Sequence, residues 1–332
     1  MKSKILKFLD PAIEYLIYGL IFLIPFSIAG VGILTAAALV FFLIKQALSP
    51  DFSSIKSNKV FFLILLVFFV FMALSLLNSG SLIGKSSRAL FLKWGRFPLI
   101  LWMVMDTFKD SKRILRALWV VAGSSIILVL SVFSQKFFDF EFVCHRPLVG
   151  RSVTGPFKNQ NDLSAYITGI LPIVLSLALW KGKQLLVRPG LFFLIAMLVL
   201  SSLWTLCRGG WVGLAAGLIS FAFLMNYNRL SKKMFLGLLL ATYVVCLPLV
   251  IMISFFFQNR AIAERLVIYS ASWKMIVEHP FLGKGLGTFM DHCAVYSNNS
   301  GTYYAHNCFL QIWAESGIFS LASFLVLAGY VL

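Results

Sequence analysis

The sequence predicts an all-α polytopic membrane protein of about ten transmembrane helices, with a cytoplasmic N-terminus and a large external loop before the last helix. Three observations lead there. Of the 332 residues 60% are hydrophobic and only 12% charged, with a mean hydropathy of +0.91, whereas a soluble domain of this length needs far more polar surface. Apolar runs approaching the roughly 20 residues that cross a bilayer recur along the chain. Short lysine- and arginine-rich loops fall on alternate connections, as they do on the cytoplasmic side of membrane proteins. In a soluble chain the formal charge of +17 would suggest nucleic acid. Here it is a topological signal, and no nucleic-acid partner is expected.

The N-terminal MKSKILKFLD has the basic character of a signal peptide, but no small-residue cleavage site follows, so it reads as an uncleaved anchor. Candidate spans fall at 12–29, 31–47, 60–77, 89–105, 115–135, 163–180, 190–206, 211–227, 234–257 and 308–332. They form one membrane domain over 1–332, with N-terminal helices in 1–135 and a core in 150–332 that carries an external loop, 258–307. With the N-terminus inside, sixteen of the 29 lysines and arginines sit in short cytoplasmic connections. The other thirteen lie mostly in 136–162 and 258–307, connections long enough to have little influence on orientation. The five cysteines are odd in number and contain no CxxC pair, which argues against a disulfide framework and a structural zinc site. Cys144-His145 and His292-Cys293 match no ligand spacing, so neither metal nor other cofactor is expected.

The outer face carries the residues suited to chemistry. RSVTGPFKNQNDLSAY, from Arg151, opens the sixth span with a Gly155-Pro156 turn, and Asn161 or Asp162 is a natural N-cap. CRGGW puts Arg208 just before the eighth span. Lys158 with Asn159 and Asn161, Arg208, and His306 with Asn307 each set a cation or amide at a helix N-terminus, where free N–H groups and the helix dipole favour anions. Capping and lipid-headgroup contact account for any one of them alone. Between 259 and 289, Leu266, Tyr269, Trp273, Ile276 and Val277 follow helical spacing. They predict a helix on the membrane surface that ends before Pro280 and leaves Arg265 and Lys274 free of the apolar face. GKGLG, from Gly283, follows no strand and reads as a turn.

The fourth span must reach back through Lys93 and Arg96. Lys93 can snorkel to the surface; Arg96, deeper by about 4.5 Å, points to a wet or protein-lined interior. Asn307, Gln311 and Glu315 recur every four residues, so a helix starting near Asn307 carries them as one stripe. Glu315 then lies roughly 12 Å below Asn307. A carboxylate at that depth should face other helices, which makes the stripe the wall of an outward-opening cavity with His306 at its mouth.

TGPFKNQNDLSAY, CRGGWVGL, ERLVIYSASWKMIVEHPFLGKGLGTF and AHNCFLQIWAESGIFSL, in this order, resemble the O-antigen ligase/polymerase superfamily (Wzy_C-type membrane proteins). The resemblance is specific over about 150–332 and covers the N-terminal half only in hydropathy. It implies a helical membrane fold related to the GT-C glycosyltransferases that use lipid-linked sugars, with the active site on an external loop. It implies metal-independent transfer of a glycan from an undecaprenyl-diphosphate carrier to a lipid or saccharide acceptor in the bacterial inner membrane. Arg208 and Arg265 would hold the diphosphate, and His306 would serve the acceptor. Family members usually continue with further helices, so the resemblance also implies that the chain stops short at its C-terminus.

Ligase, repeat-unit polymerase and protein O-glycosylation all fit these residues. From other classes, a small-solute transporter needs midplane polar sites reachable from both sides, and here the inner half is bland. A non-catalytic scaffold leaves the outer cations without a task.

Overall fold

In the computed structural model the described residues are 2–148, 150–180, 187–225, 237, 259–297 and 304–331, with the backbone alone for 259–263. Thirteen α-helices occur among them: α1 (Lys2–Leu23), α2 (Ile28–Leu48), α3 (Ser53–Ser57), α4 (Lys59–Leu74), α5 (Ile83–Arg88), α6 (Arg96–Thr107), α7 (Ser111–Phe138), α8 (Gln160–Leu179), α9 (Arg188–Trp204), α10 (Arg208–Met225), α11 (Asn259–Glu278), α12 (Phe289–Ser297) and α13 (Cys308–Val331). Among the described residues there is no strand, only one isolated bridge between Phe140 and Pro147.

The protein is an integral membrane protein. Six helical stretches are long and apolar enough to cross a bilayer: Ile28–Leu48, Lys59–Asn78, Ser111–Phe138, Gln160–Leu179, Arg208–Met225 and Cys308–Val331. The apolar α9 is shorter, below 18 residues. Ten spans were expected. The first expected span is helical as α1, but Lys7, Asp10 and Glu14 lie on it. The fourth is broken into α5, a π-helical turn over Ala89–Trp94, and α6. The ninth, 234–257, lies outside the described residues except for Gly237.

The chain divides into two compact units, one of Met1–Leu48 with Thr107–Ile253 and one of Ser49–Asp106 with Ser254–Leu332. In the first unit, α7, α8 and α9 bury a continuous core that includes Leu128, Val132, Leu163, Ile167, Leu171 and Leu198. One buried carboxylate ties α1 to α7. Glu14, 4% exposed, meets Arg113 Nε at 3.1 Å and Arg116 at 2.6 Å and accepts from the Tyr18 hydroxyl at 2.6 Å. A buried acid needs such partners, because an unpaired charge there costs several kcal/mol, about 3–5 when one partner is removed.

One glycine of CRGGW, Gly210, has a packing role. A Cβ on Gly210 would sit 1.7 Å from Ser164 Oγ, and one on Gly213 3.5 Å from Thr168 Cγ2. Glycine at 210 lets α10 lie close against α8, the usual device where helices associate in lipid, whereas the 3.5 Å approach at 213 is an ordinary contact.

In the second unit, α11 packs on α12 and α13 through Ile268, Ala271, Met275 and Ile276. The stripe expected to face the membrane lies mostly outside this contact. Leu266, Trp273 and Val277 are 61%, 54% and 62% exposed, and of the expected stripe Ile276 is buried. Apolar residues occur on more than one side of α11, so spacing alone does not choose a face. The small Ala271 and Ser272 decide it by permitting close approach, and both are fully buried.

The last helix is bent. Gly317 has φ 82° and ψ 175°, a region open only to glycine. The rings of Phe309 and Phe324 lie 6.3 Å apart, although fifteen residues of straight helix would separate them by about 22 Å. The polar residues therefore sit on a short arm before the bend, and the apolar residues 318–331 follow it. A segment entering the membrane can begin with Gln311 and Glu315 because the chain turns before the apolar part starts.

Candidate functional site

In the first unit the N-terminal ends of α8 and α10 come together. Asn159, not Asn161 or Asp162, caps α8. Its Oδ1 accepts from the Asp162 N–H at 2.9 Å, and its Nδ2 donates to Asp162 Oδ2 at 2.7 Å. That leaves Asn161 to accept from Cys207 Sγ at 3.1 Å, which sets the start of α10, and with it Arg208, beside the start of α8. Lys158 and Asn161 are exposed, and Arg208 is half-buried.

Two buried polar residues that sequence reasoning missed shape the approach to α8. Gln135 Oε1 accepts from the N–H groups of Thr154 and Gly155 at 2.9 and 2.8 Å. Glu141 accepts from Val143 N, Cys144 N and Ser131 Oγ at 2.6, 2.6 and 2.5 Å. A glutamine late in a span and a glutamate among phenylalanines were the available signals, since a buried polar side chain is kept only where it is satisfied.

In the second unit Asn307 caps α13, its Oδ1 accepting from the N–H groups of Phe309 and Leu310 at 3.0 and 3.2 Å. His306 precedes it with φ 52°, in the left-handed region that histidine and asparagine enter more readily than most residues. Its side chain is exposed, while Ala305 before it is fully buried. Ala305 N–H donates to Gln311 Oε1 at 3.3 Å, so both neighbours of His306 are fastened to the start of α13. Arg265 is exposed on α11 and forms no ion pair among the described residues.

Glu315, 6% exposed, accepts from Gly287 N at 2.9 Å and Phe289 N at 3.0 Å. Gln311 Nε2 approaches it at 3.4 Å. The loop 280–289 is further locked to the bend by Lys284 N to Ala314 O at 2.9 Å, Gly285 N to Glu315 O at 2.9 Å and Ile318 N to Pro280 O at 2.9 Å. The turn read in GKGLG is therefore one half of a backbone-to-backbone junction, and Glu315 serves it. Asn78, also missed, donates to Gly283 O at 3.0 Å.

Lys93 and Arg96 part company. A 2.7 Å bond from Gly95 N to Leu90 O closes a π turn, one residue wider than an α turn. Arg96 then lies over the Phe97 ring at 5.5 Å. Lys93 lies over the Tyr304 ring at 5.9 Å and lines a cavity of about 280 Å³ together with Gln311 and Glu315.

Residues 192–325 match the O-antigen ligase family model (Wzy_C). The match agrees with the sequence resemblance, and it points to glycan transfer of the ligase or polymerase type. It encloses Arg208, Arg265, His306, Asn307, Gln311 and Glu315. Lys158, Asn159, Asn161 and Arg96 fall outside it. No curated protein and no solved structure matches the chain.

The loop before the last helix also carries His292, half-buried on α12 with its Nε2 enclosed and unpartnered among the described residues. Burial first, and then the positive charge of Lys284, hold its pKa below the ordinary value of 6.5. Below that pH the unfolded chain takes up a proton that folded His292 resists, so its contribution to stability is complete above about 6.5 and is lost as the pH falls toward the folded pKa. Melting temperatures of purified protein should decline over this window, and His292→Gln should flatten the decline. Parallel slopes for the two proteins would refute the assignment.

Proposed function

We propose that the protein transfers a glycan from an undecaprenyl-diphosphate carrier to the hydroxyl of a lipid or saccharide acceptor, on the outer side of the bacterial cytoplasmic membrane. The observation that carries this reading is the ligase-family match over 192–325, a segment that contains Arg208, Arg265 and His306. The acceptor oxygen attacks the anomeric carbon, the bond from that carbon to the diphosphate oxygen breaks, and the configuration inverts. His306 takes the acceptor proton on a ring nitrogen. Arg208 and Arg265 neutralise the departing diphosphate through paired N–H donors. The reaction draws on no nucleotide sugar and no metal. Asn307 and Gln311 hold the segment bearing His306, and Lys158, Asn159 and Asn161 form a second anion-favouring helix start beside Arg208.

Arg265→Lys and Arg208→Lys test it. Lysine keeps the charge and loses the fork, so each variant should forfeit at least one charged hydrogen bond, about 1.5–3 kcal/mol or roughly 10- to 100-fold in turnover. Full transfer activity in both Arg→Ala variants would remove the arginines from the mechanism. A repeat-unit polymerase uses the same chemistry with a growing chain as acceptor, and complementation of ligase-null and polymerase-null strains separates the two.

A further inference from the structure

Glu315 stands between two parts of the chain. Its Oε2 accepts from Gly287 N at 2.9 Å, and its Oε1 accepts both from Phe289 N at 3.0 Å and from Gln311 Nε2 at 3.4 Å. A backbone N–H can only donate, so Phe289 makes Oε1 an acceptor. The side-chain amide that shares this oxygen then has to present its NH2 group. The Gln311 carbonyl oxygen is thereby turned the other way, onto the Ala305 N–H at 3.3 Å. In the opposite orientation the amide would set oxygen against oxygen and N–H against N–H, and both bonds would be lost at once. Ala305 is fully buried, and His306 next to it is exposed with φ 52°. Tyr304, on the other side of Ala305, has Lys93 over its ring at 5.9 Å, and Lys93 lines one cavity with Gln311 and Glu315. The imidazole thus projects from a backbone fastened on both sides of it.

We propose that Glu315 is a positioning residue for His306, acting through the amide of Gln311. In this role the carboxyl group touches no reacting atom. It aligns Gln311, and Gln311 fixes the course of the chain into His306. Order in the loop 280–289 is carried to the histidine along the same bonds, because Phe289 and Gln311 share one oxygen of Glu315. The proposal rests on the glycan-transfer reading for the reaction that His306 serves, and it adds the residue that aims the base. Such aim matters, since a displacement of about 1 Å in a catalytic group can cost roughly 100-fold in rate. The stripe of Asn307, Gln311 and Glu315 then serves the chain that carries the histidine, and its depth in α13 is explained without a ligand on Glu315.

Three variants test it. Backbone amide exchange of purified full-length protein in nanodiscs is followed by mass spectrometry at Ala305 and over 280–289, beside kcat and KM for transfer. Gln311→Met keeps the loop bonds to Glu315 and removes the acceptor of Ala305. Exchange at Ala305 should rise at least ~10-fold with 280–289 unchanged. In the same variant kcat should fall roughly 10- to 100-fold while KM moves less than about twofold. Glu315→Gln retains one side-chain oxygen, which can serve Phe289 and Gln311 together. It should open the Gly287 amide to exchange, keep Ala305 protected and hold kcat within about fivefold of the parent protein, the scale of one hydrogen bond. Glu315→Met retains no such oxygen and should lose both the protection of Ala305 and the rate. The proposal is overturned if Gln311→Met keeps the parent's exchange at Ala305 or its kcat. It is equally overturned if Glu315→Gln abolishes transfer with Ala305 still protected, which would give the carboxyl group a direct part in the reaction. Should Glu315→Met not fold, Gln311→Met decides, since the loop junction is intact in it. If the parent protein transfers no glycan, the reaction reading fails, and exchange at Ala305 across the variants still decides whether Glu315 sets the chain at His306.

Discussion

His306→Asn should fold, should bind carrier-linked glycan as the parent protein does, and should transfer it at least ~100-fold more slowly, since a positioned general base contributes about 10²–10⁴-fold. Asparagine suits the experiment for a structural reason. Residue 306 has φ 52°, and asparagine enters this left-handed region at little cost, so the backbone between Ala305 and Asn307 should keep its course. The helix cap is also undisturbed, because Asn307 supplies it. What the variant loses is an imidazole nitrogen placed to accept the acceptor's proton. Near-normal transfer by purified His306→Asn protein at saturating acceptor would leave His306 with no role in the reaction and the arginines as the remaining catalytic assignment.

Gly317→Ala should be the most damaging of the conservative substitutions. A Cβ at 317 would lie 1.9 Å from Phe281 O and 2.3 Å from Phe281 C, backbone atoms that cannot step aside. The residue would also have to hold φ 82° and ψ 175°. Backbone strain of this kind costs about 1–3 kcal/mol, and forcing an extra methyl into a filled site adds ~1–3 kcal/mol. Together these take a large part of the stability available to a typical domain, about 5–15 kcal/mol. The variant should lose most of its folded, monodisperse fraction after mild heating in detergent. Gly169→Ala is the control, since a Cβ there meets nothing within 4 Å and should leave the profile unchanged. Equal thermal profiles for Gly317→Ala and the parent protein would show that the bend does not need glycine.

Hydropathy carried the class of the protein and six of the ten expected spans, because an apolar run such as Lys59–Asn78 is long enough to cross a bilayer. It did not carry the break within 89–105, which depends on one wide turn at Leu90 and Gly95 rather than on composition. Nor did it show the bend at Gly317, since a window across Cys308–Val331 averages a polar arm with an apolar one. Asn307 and Gln311 were recognisable as a unit from their spacing. Their actual partners, the N–H groups of Phe309 and Leu310 and of Ala305, are backbone groups that no residue pattern displays. The same is true of Glu315, whose spacing placed it with the other two but whose oxygens are taken up by a loop about thirty residues earlier. Lys93 and Arg96 are three apart, which on an ordinary helix would put them on neighbouring positions of one side; the π turn separates them.

The junction between 280–289 and the bend has a consequence for how the chain is made. The carbonyls of Ala314 and Glu315 and the N–H of Ile318 are paired only because Lys284, Gly285 and Pro280 have already left the ribosome and can reach back to them. In hydrocarbon an unpaired backbone group costs several kcal/mol, so the terminal helix should not settle as a finished span and collect its loop afterwards. The two are expected to form as one cooperative hairpin. Chains stalled before Gly317 emerges should then keep 280–289 open to protease, and chains released beyond 331 should protect it.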